Sequence, residues 1–165
     1  MSGEITSVRD SLPDISIREA TLADIPEILR HRRRMYEDMR YSDDATLARM
    51  QQVTEPYLRA TMAGGSFRGW LACAGDRIVA GAAVVIVQWP AHTYDLECRR
   101  ATILNVYTEP EFRRRGIARL LMRTLIDCCR QEGFARVFLH SSDDGRPLYQ
   151  SLGFEPGNEM ILKLR

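Results

Sequence analysis

The chain is 165 residues long, a length that one compact domain fills and two full cores do not. A domain of that size buries roughly 68–70% of the surface its unfolded chain exposes, so it needs neither disulfides nor a structural metal in order to fold. The 45% hydrophobic and 27% charged fractions exclude disorder throughout, and 23 Lys+Arg against 22 Asp+Glu, a net charge of +1, exclude a global field that would draw in nucleic acid or an anionic membrane.

Residues 1–13 are polar, mixed in charge and end at Pro13, which reads as a loosely held leader before a single domain over 14–165. They lack the apolar core of a secretory signal, and the longest apolar run, Ile78 to Val87, is too short to span a bilayer. Ile15 and Ile17 alternate with Ser16 and Arg18 as in a short strand. From Leu22 to Met39 the apolar residues recur at helical spacing behind Thr21 as an N-cap. A second helix is expected after Asp43 or Asp44, with Pro56 kinking it or starting a new segment before Gly64-Gly65. Phe67 to Ala74 and Arg77 to Trp89 read as an antiparallel hairpin turning at Gly75-Asp76, and Arg100 to Thr108 as a further strand. Ile117 to Glu132 is a strongly amphipathic helix with Ile117, Leu120, Leu121, Leu125 and Cys128 on one face and Gly133 as its stop. Phe134 to His140 reads as a strand, Asp144 to Leu152 as a short helix and Met160 to Leu164 as a last strand. Cys73, Cys98, Cys128 and Cys129 form no CxxC pair and have no histidines at finger-like spacing. Free thiols, no bound metal and a cytoplasmic location are therefore expected.

The chemistry concentrates in Asn105 to Ala118, where a strand gives way near Pro110 to a basic loop and then to the amphipathic helix. The first N–H groups of a helix have no internal partner and the macrodipole adds about half a positive charge, so Gly116, Ile117 and Ala118 could cradle a phosphate. Gly116 permits a positive φ, and Arg113, Arg114 and Arg115 add charge beside it. The alternative is a solvated turn. Neither a GK[ST] ending nor GxGxxG is present, so the spacing alone reads as a pyrophosphate site or a basic turn.

Arg113 to Ala118 resembles the R/Q-x-x-G-x-G/A loop of the GNAT N-acetyltransferase superfamily, and Tyr107-Thr-Glu-Pro110 stands where that family has Tyr-Val-x-Pro. Pro147 to Phe154 is similar to its A/P-x-x-x-Y-x-x-x-GF ending, matching Y-x-x-x-GF from Tyr149 with Pro147 two residues ahead of the tyrosine, and the two motifs follow in the expected order. The resemblance covers about residues 15–164. It implies an α/β domain with a mixed, mostly antiparallel twisted sheet of about six or seven strands and helices on both sides. It also implies acetyl-CoA as co-substrate, its pyrophosphate on the amides of Arg114 to Ala118 and its pantetheine arm along Val106, Tyr107 and Thr108. A small-molecule or peptide amine would be the acceptor, with no nucleic acid and no membrane as partner; a homodimer stays open.

Under this resemblance Tyr149 is the acid that protonates the departing thiolate; a phenol of pKa near 10 carries its proton at neutral pH. The glutamate that serves some members as base falls at Thr102, which cannot act as one. Glu97, Asp95 or a water held by Asn105 are the substitutes, Glu97 being otherwise a solvated strand-end charge. Ser141 and Ser142 could meet the CoA amide or cap the next helix, and His140 could be a packed polar residue. In Arg30 to Arg34, Arg30, Arg33 and Arg34 lie off the apolar stripe and read as a solvated face, whereas Arg32 sits at its margin. Such a guanidinium is costly to desolvate unless it stays in an open cleft or meets an anion, either Glu37 or Asp38 within the chain or a carboxylate or phosphate on the acceptor. A degenerate acyl-CoA-binding domain without turnover is the alternative to an enzyme, and a nucleic-acid module resting on the arginine clusters is the third reading.

Overall fold

A computed structural model describes residues 14–164, so the proposed leader at 1–13 lies outside the described residues. One five-stranded sheet runs in the order β1 (Ile15–Glu19), β2 (Phe67–Ala74), β3 (Arg77–Gln88), β4 (Arg99–Thr108) and β5 (Val137–Leu139). The first four pair antiparallel and β4 with β5 parallel. The helices are α1 (Ile25–Asp38), α2 (Asp44–Ala63), α3 (Ile117–Gln131) and α4 (Arg146–Ser151). Among the described residues no helix is long and apolar enough to cross a membrane.

Each sheet face supports its own apolar cluster. On one, Ala72, Val79, Val84 and Ile103 meet Leu121, Met122 and Leu125 of α3. On the other, Ile25, Ile28 and Leu29 of α1 and Leu58 of α2 meet Phe67 and Ala83. The buried stripe of α3 is Ile117, Leu121, Met122, Leu125 and Cys129, so Leu120 and Cys128 are not its central residues: Leu120 is 43% exposed, and Cys128 is half-buried beside Arg68. Burial pushes the Cys129 thiol up to about 11.

Three expectations need correction. The helical spacing from Leu22 begins as a 3-10 turn, Leu22–Asp24, because Asp24 accepts from the Thr21 amide at 2.7 Å and Pro26 opens the α-helix proper. Pro56 does not divide α2, which is one helix from Asp44 to Ala63; Pro56 is exposed, so the carbonyl it frees on Gln52 faces water. Met160 to Leu164 is not a strand. Apolar residues make a strand only against a partner edge, and here Met160, Ile161, Leu162 and Leu164 lie unpaired and exposed, leaving a sheet of five strands in place of six or seven.

Candidate active site

A single irregularity in β4 builds the site. Gly81 faces Tyr107 and Ala83 faces Leu104, so Asn105 and Val106 together oppose Ala82, a β-bulge with Asn105 at φ +57°. Asparagine tolerates this left-handed region better than most side chains. The bulge breaks the alternation of the strand. Ala101, Ile103 and Val106 belong to the α3 face, while Leu104 and Asn105 both line a cleft beneath α2. Asn105, which strict alternation would have placed with Ile103, is thereby turned into that cleft.

The same region frees an edge of the sheet. β5 pairs with β4 only through Ala101, Thr102 and Ile103, so among the described residues the β4 edge from Leu104 to Thr108 has no strand beside it. Except for the Thr108 carbonyl, which Arg113 occupies, its main-chain groups have no strand partner on that side among the described residues, which suits an extended ligand along Val106, Tyr107 and Thr108. The Tyr107 side chain is buried under α1, its ring centroid 5.0 Å from that of His31, so what this residue offers the edge is backbone.

Beyond Pro110 the loop turns into α3. Arg114 has φ +62° and Gly116, the N-cap of α3, φ +83°. No side chain caps the helix, so the amides of Ile117 and Ala118 are unclaimed by a cap, and a Cβ built on Gly116 would meet nothing within 4 Å. Positive φ values, open space at Gly116 and an uncapped helix start suit an anion, so the residues present fit the pyrophosphate that the resemblance implies. The three arginines divide. Arg113 turns back, donating to the Thr108 carbonyl at 2.9 Å and to Asp38 at 2.5 Å, so its guanidinium braces the loop against the end of α1 instead of reaching into the cradle. Arg115 lies over Phe112, and Arg114 and Arg115 are exposed. Ile117 is buried and anchors the first turn of α3.

Tyr149 lies on α4, which Arg119 ties to α3 through a 2.8 Å bond to Ser151. Its ring packs edge-on against Phe154 and lies directly over Gly145, where a Cβ would sit 2.8 Å from Tyr149 Cε2. Burial raises the phenol pKa, so the proton is held at neutral pH. Sequence reasoning passed over this packing of Gly145 against the ring; only the closeness of Gly145 to Tyr149 across one helical turn hinted at it. Ser142 Oγ accepts from the Gly145 amide at 3.2 Å, so Ser142 shapes the turn before α4, while Ser141 is exposed. The His140 ring is exposed, 4.0 Å from Glu159, and is not a packed polar residue.

The acceptor-side expectations also separate. Arg32 donates to Asn105 Oδ1 at 2.5 Å, which joins two residues distant in sequence. They border a cleft of about 390 Å³ whose walls are Val53, Thr54, Tyr57 and Leu58 of α2, with Phe67 and Leu104 beneath. Glu97 is not part of it: it is exposed in the segment before β4, 3.8 Å from Arg99. A second hollow of about 320 Å³, between Glu19 and Met62, takes in none of the residues the sequence singles out for chemistry.

Arg30 and Arg33 do not form a merely solvated face. Arg30 bridges Glu27, at 2.6 Å, and buried Glu109; Arg33 holds Glu37 at 2.7 Å and also reaches Asp44. Arg34 meets Glu37 at 3.2 Å. His31 is buried with Nε2 3.2 Å from Glu27 and 3.6 Å from Glu109, in a trio close enough to suggest a metal site. The Arg30 guanidinium already sits on the carboxylate oxygens a metal ion would use. The cluster thus holds the end of β4 and the Pro110 turn against α1. Desolvation lowers the His31 pKa, and Arg30 holds the Glu27 carboxyl low.

A bulged strand leading into a helix capped by glycine, with a tyrosine on a short helix packed against the same core cluster, is the arrangement the comparisons with known proteins meet. Residues 25–154 match the acetyltransferase (GNAT) family, and the chain belongs to it. A GCN5-related N-acetyltransferase from Ralstonia eutropha JMP134 superposes with a TM-score of 0.86 at 32% identity, covering 92% of this chain and 99% of that one. A predicted acetyltransferase from Clostridium acetobutylicum, solved with acetyl-CoA, gives 0.84 at 25% identity, over 91% and 96% of the two chains. Human N-acetyltransferase 8B is 31% identical over 119 residues, 70% of this chain and 49% of that protein. The chain spans about half the length of the curated relatives it matches over those 118–119 residues.

Proposed function

We propose that the protein transfers the acetyl group of acetyl-CoA to a primary amine by direct attack, with both substrates bound together. The observation that carries the reading is the bulge at Asn105 and Val106: one backbone feature leaves the β4 edge open for the cofactor and turns Asn105 into the cleft where an amine would wait. Acetyl-CoA supplies an activated thioester. The Gly116 to Ala118 amides bind its pyrophosphate, and the backbone of Val106 to Thr108 aligns the pantetheine arm. Tyr149 holds a proton at its hydroxyl for the leaving thiolate.

None of the described residues lining the cleft is a carboxylate, and Thr102 stands where the resemblance puts a glutamate base. Deprotonation then falls to water, with Asn105 as its anchor, and to the acceptor itself. The Arg32 guanidinium assists, since a cation in the cleft disfavours an ammonium beside it. Release of CoA thiol measured across amino acids, polyamines, aminoglycosides and peptide N-termini tests the reading. Tight acetyl-CoA binding with no acceptor-dependent release by any of them would favour the second reading, an acyl-CoA-binding module without turnover, which the absence of a carboxylate from the cleft lining supports.

A further inference from the structure

Within the run Arg30 to Arg34, three arginines have carboxylate partners: Arg30 with Glu27 and Glu109, Arg33 with Glu37 and Asp44, Arg34 with Glu37. Arg32 has none among the described residues. Its companions are neutral, the Asn105 amide oxygen and the face of Tyr36, 5.1 Å from the guanidinium carbon. The candidates the sequence offered are taken, Glu37 by Arg33 and Arg34, and Asp38 by Arg113. Its Nε is buried and makes no hydrogen bond, so part of a half-buried guanidinium has lost water without gaining a partner. That group borders the cleft whose other walls are the aromatic and aliphatic faces of Tyr57, Val53, Leu58, Phe67 and Leu104.

We infer that the acceptor is a small amphipathic amine of the α-amino acid class, its carboxylate paired with Arg32 and its apolar side chain laid against Tyr57 and Phe67. The inference rests on the acetyl-transfer reading and narrows it. A guanidinium fork matches a carboxylate in charge and shape, and among the described residues it is the only cation lining the cleft, so a phosphate dianion would keep one charge uncompensated. The volume, about 390 Å³, lies at the lower end of small-ligand sites, which run from about 300 to 1,000 Å³. One small molecule fills such a space. Asn105 links recognition to chemistry, because it holds Arg32 from the bulge that also opens the cofactor edge.

The test compares L-phenylalanine, L-phenylalaninamide and phosphoethanolamine as acceptors at saturating acetyl-CoA, with kcat/KM expressed per neutral amine. The acid should exceed the amide by at least about ten-fold, the range of a charge-assisted pair, and should exceed phosphoethanolamine. Arg32→Gln should bring acid and amide to equality without changing the KM for acetyl-CoA, and Arg32→Lys should keep part of the preference. A merely structural role for Arg32 would lower kcat for both acceptors and leave their ratio alone. Equality in the wild type, a preference that survives Arg32→Gln, or a preference for phosphoethanolamine would overturn the inference. Calorimetry with N-acetyl-phenylalanine and its amide, in the presence of CoA, separates this result from the transfer reading. Tighter binding of the acid without any turnover would sustain the acceptor class and defeat the transfer reading; equal binding defeats the acceptor class even where transfer proceeds.

Discussion

Adding one methyl group at Gly145 should impair catalysis while leaving the fold intact. The backbone there is right-handed, φ −80° and ψ −25°, so alanine is conformationally welcome and should stabilise the chain by about 0.4–1 kcal/mol through its unfolded state. The new Cβ would nevertheless meet Tyr149 Cε2 at 2.8 Å, Ser142 Oγ at 3.2 Å and Tyr149 Cζ at 3.3 Å. Carbon atoms rest at about 3.5–4.0 Å, so the ring must retreat by roughly 0.7 Å, and Cζ carries the hydroxyl. Displacements of about 1 Å at a reacting group cost up to about 10²-fold, which puts the expected loss in kcat at about ten-fold or more with Tm unchanged or raised. The assay is CoA-thiol release beside a thermal melt, for Gly145→Ala alone and in a Tyr149→Phe background. If the methyl acts through the phenol, it should cost nothing further once the phenol is gone. Wild-type kcat in Gly145→Ala, or an equal loss in the Tyr149→Phe background, would refute the reasoning.

Tyr149→Phe alone keeps the packing on Phe154 and should lower kcat by roughly 10²-fold with little change in acetyl-CoA affinity; full turnover would assign the ring to packing. Gly116→Val should weaken acetyl-CoA binding at least about ten-fold by calorimetry, chiefly because a side chain at φ +83° is strained by about 1–2 kcal/mol, there being no neighbouring atom within 4 Å to clash with. His31, whose folded pKa is lowered by burial, binds fewer protons than in the unfolded chain, so stability is complete above about pH 6.5 and falls as pH drops below it. Urea melts should show lower stability at pH 5.5 than at pH 7.5, and His31→Gln should abolish most of that difference; an equal difference in the variant would exclude His31 as its source.

The strand and helix order could be read from the sequence because each element carries its own period. Ile117, Leu121 and Leu125 recur on one helical face, and the hairpin from Phe67 to Gln88 is bounded by Gly75 and continuous in β-formers. The chief failures lie where tertiary context decides. Met160 to Leu164 has a strand's composition but lacks an edge to pair with. Pro56 has a helix breaker's chemistry but stands on the wet side of α2. The arginine run looked solvated because Glu109, the partner of Arg30, is 79 residues away in sequence. In the site, the loop and Tyr149 were visible as motifs, whereas the Arg32 to Asn105 contact was not, since it depends on the bulge.

On the proposed reading, that bulge explains why the cofactor edge and the acceptor cleft adjoin. A regular β4 would point Asn105 toward α3, keep the strand's hydrogen-bonding edge in step with a neighbour and leave Arg32 without its amide partner. One extra residue opposite Ala82 alters all three relations. Below it, the Arg30, Glu27, His31 and Glu109 cluster and the Arg113 to Asp38 brace fasten the strand's end to α1, so the free edge stays open by construction and not by the looseness of a loop. The two anchors meet the chain on either side of Pro110, at Glu109 and Arg113. Loosening either should shift the Gly116 cradle relative to the Asn105 cleft, which ties the affinity for one substrate to the placement of the other.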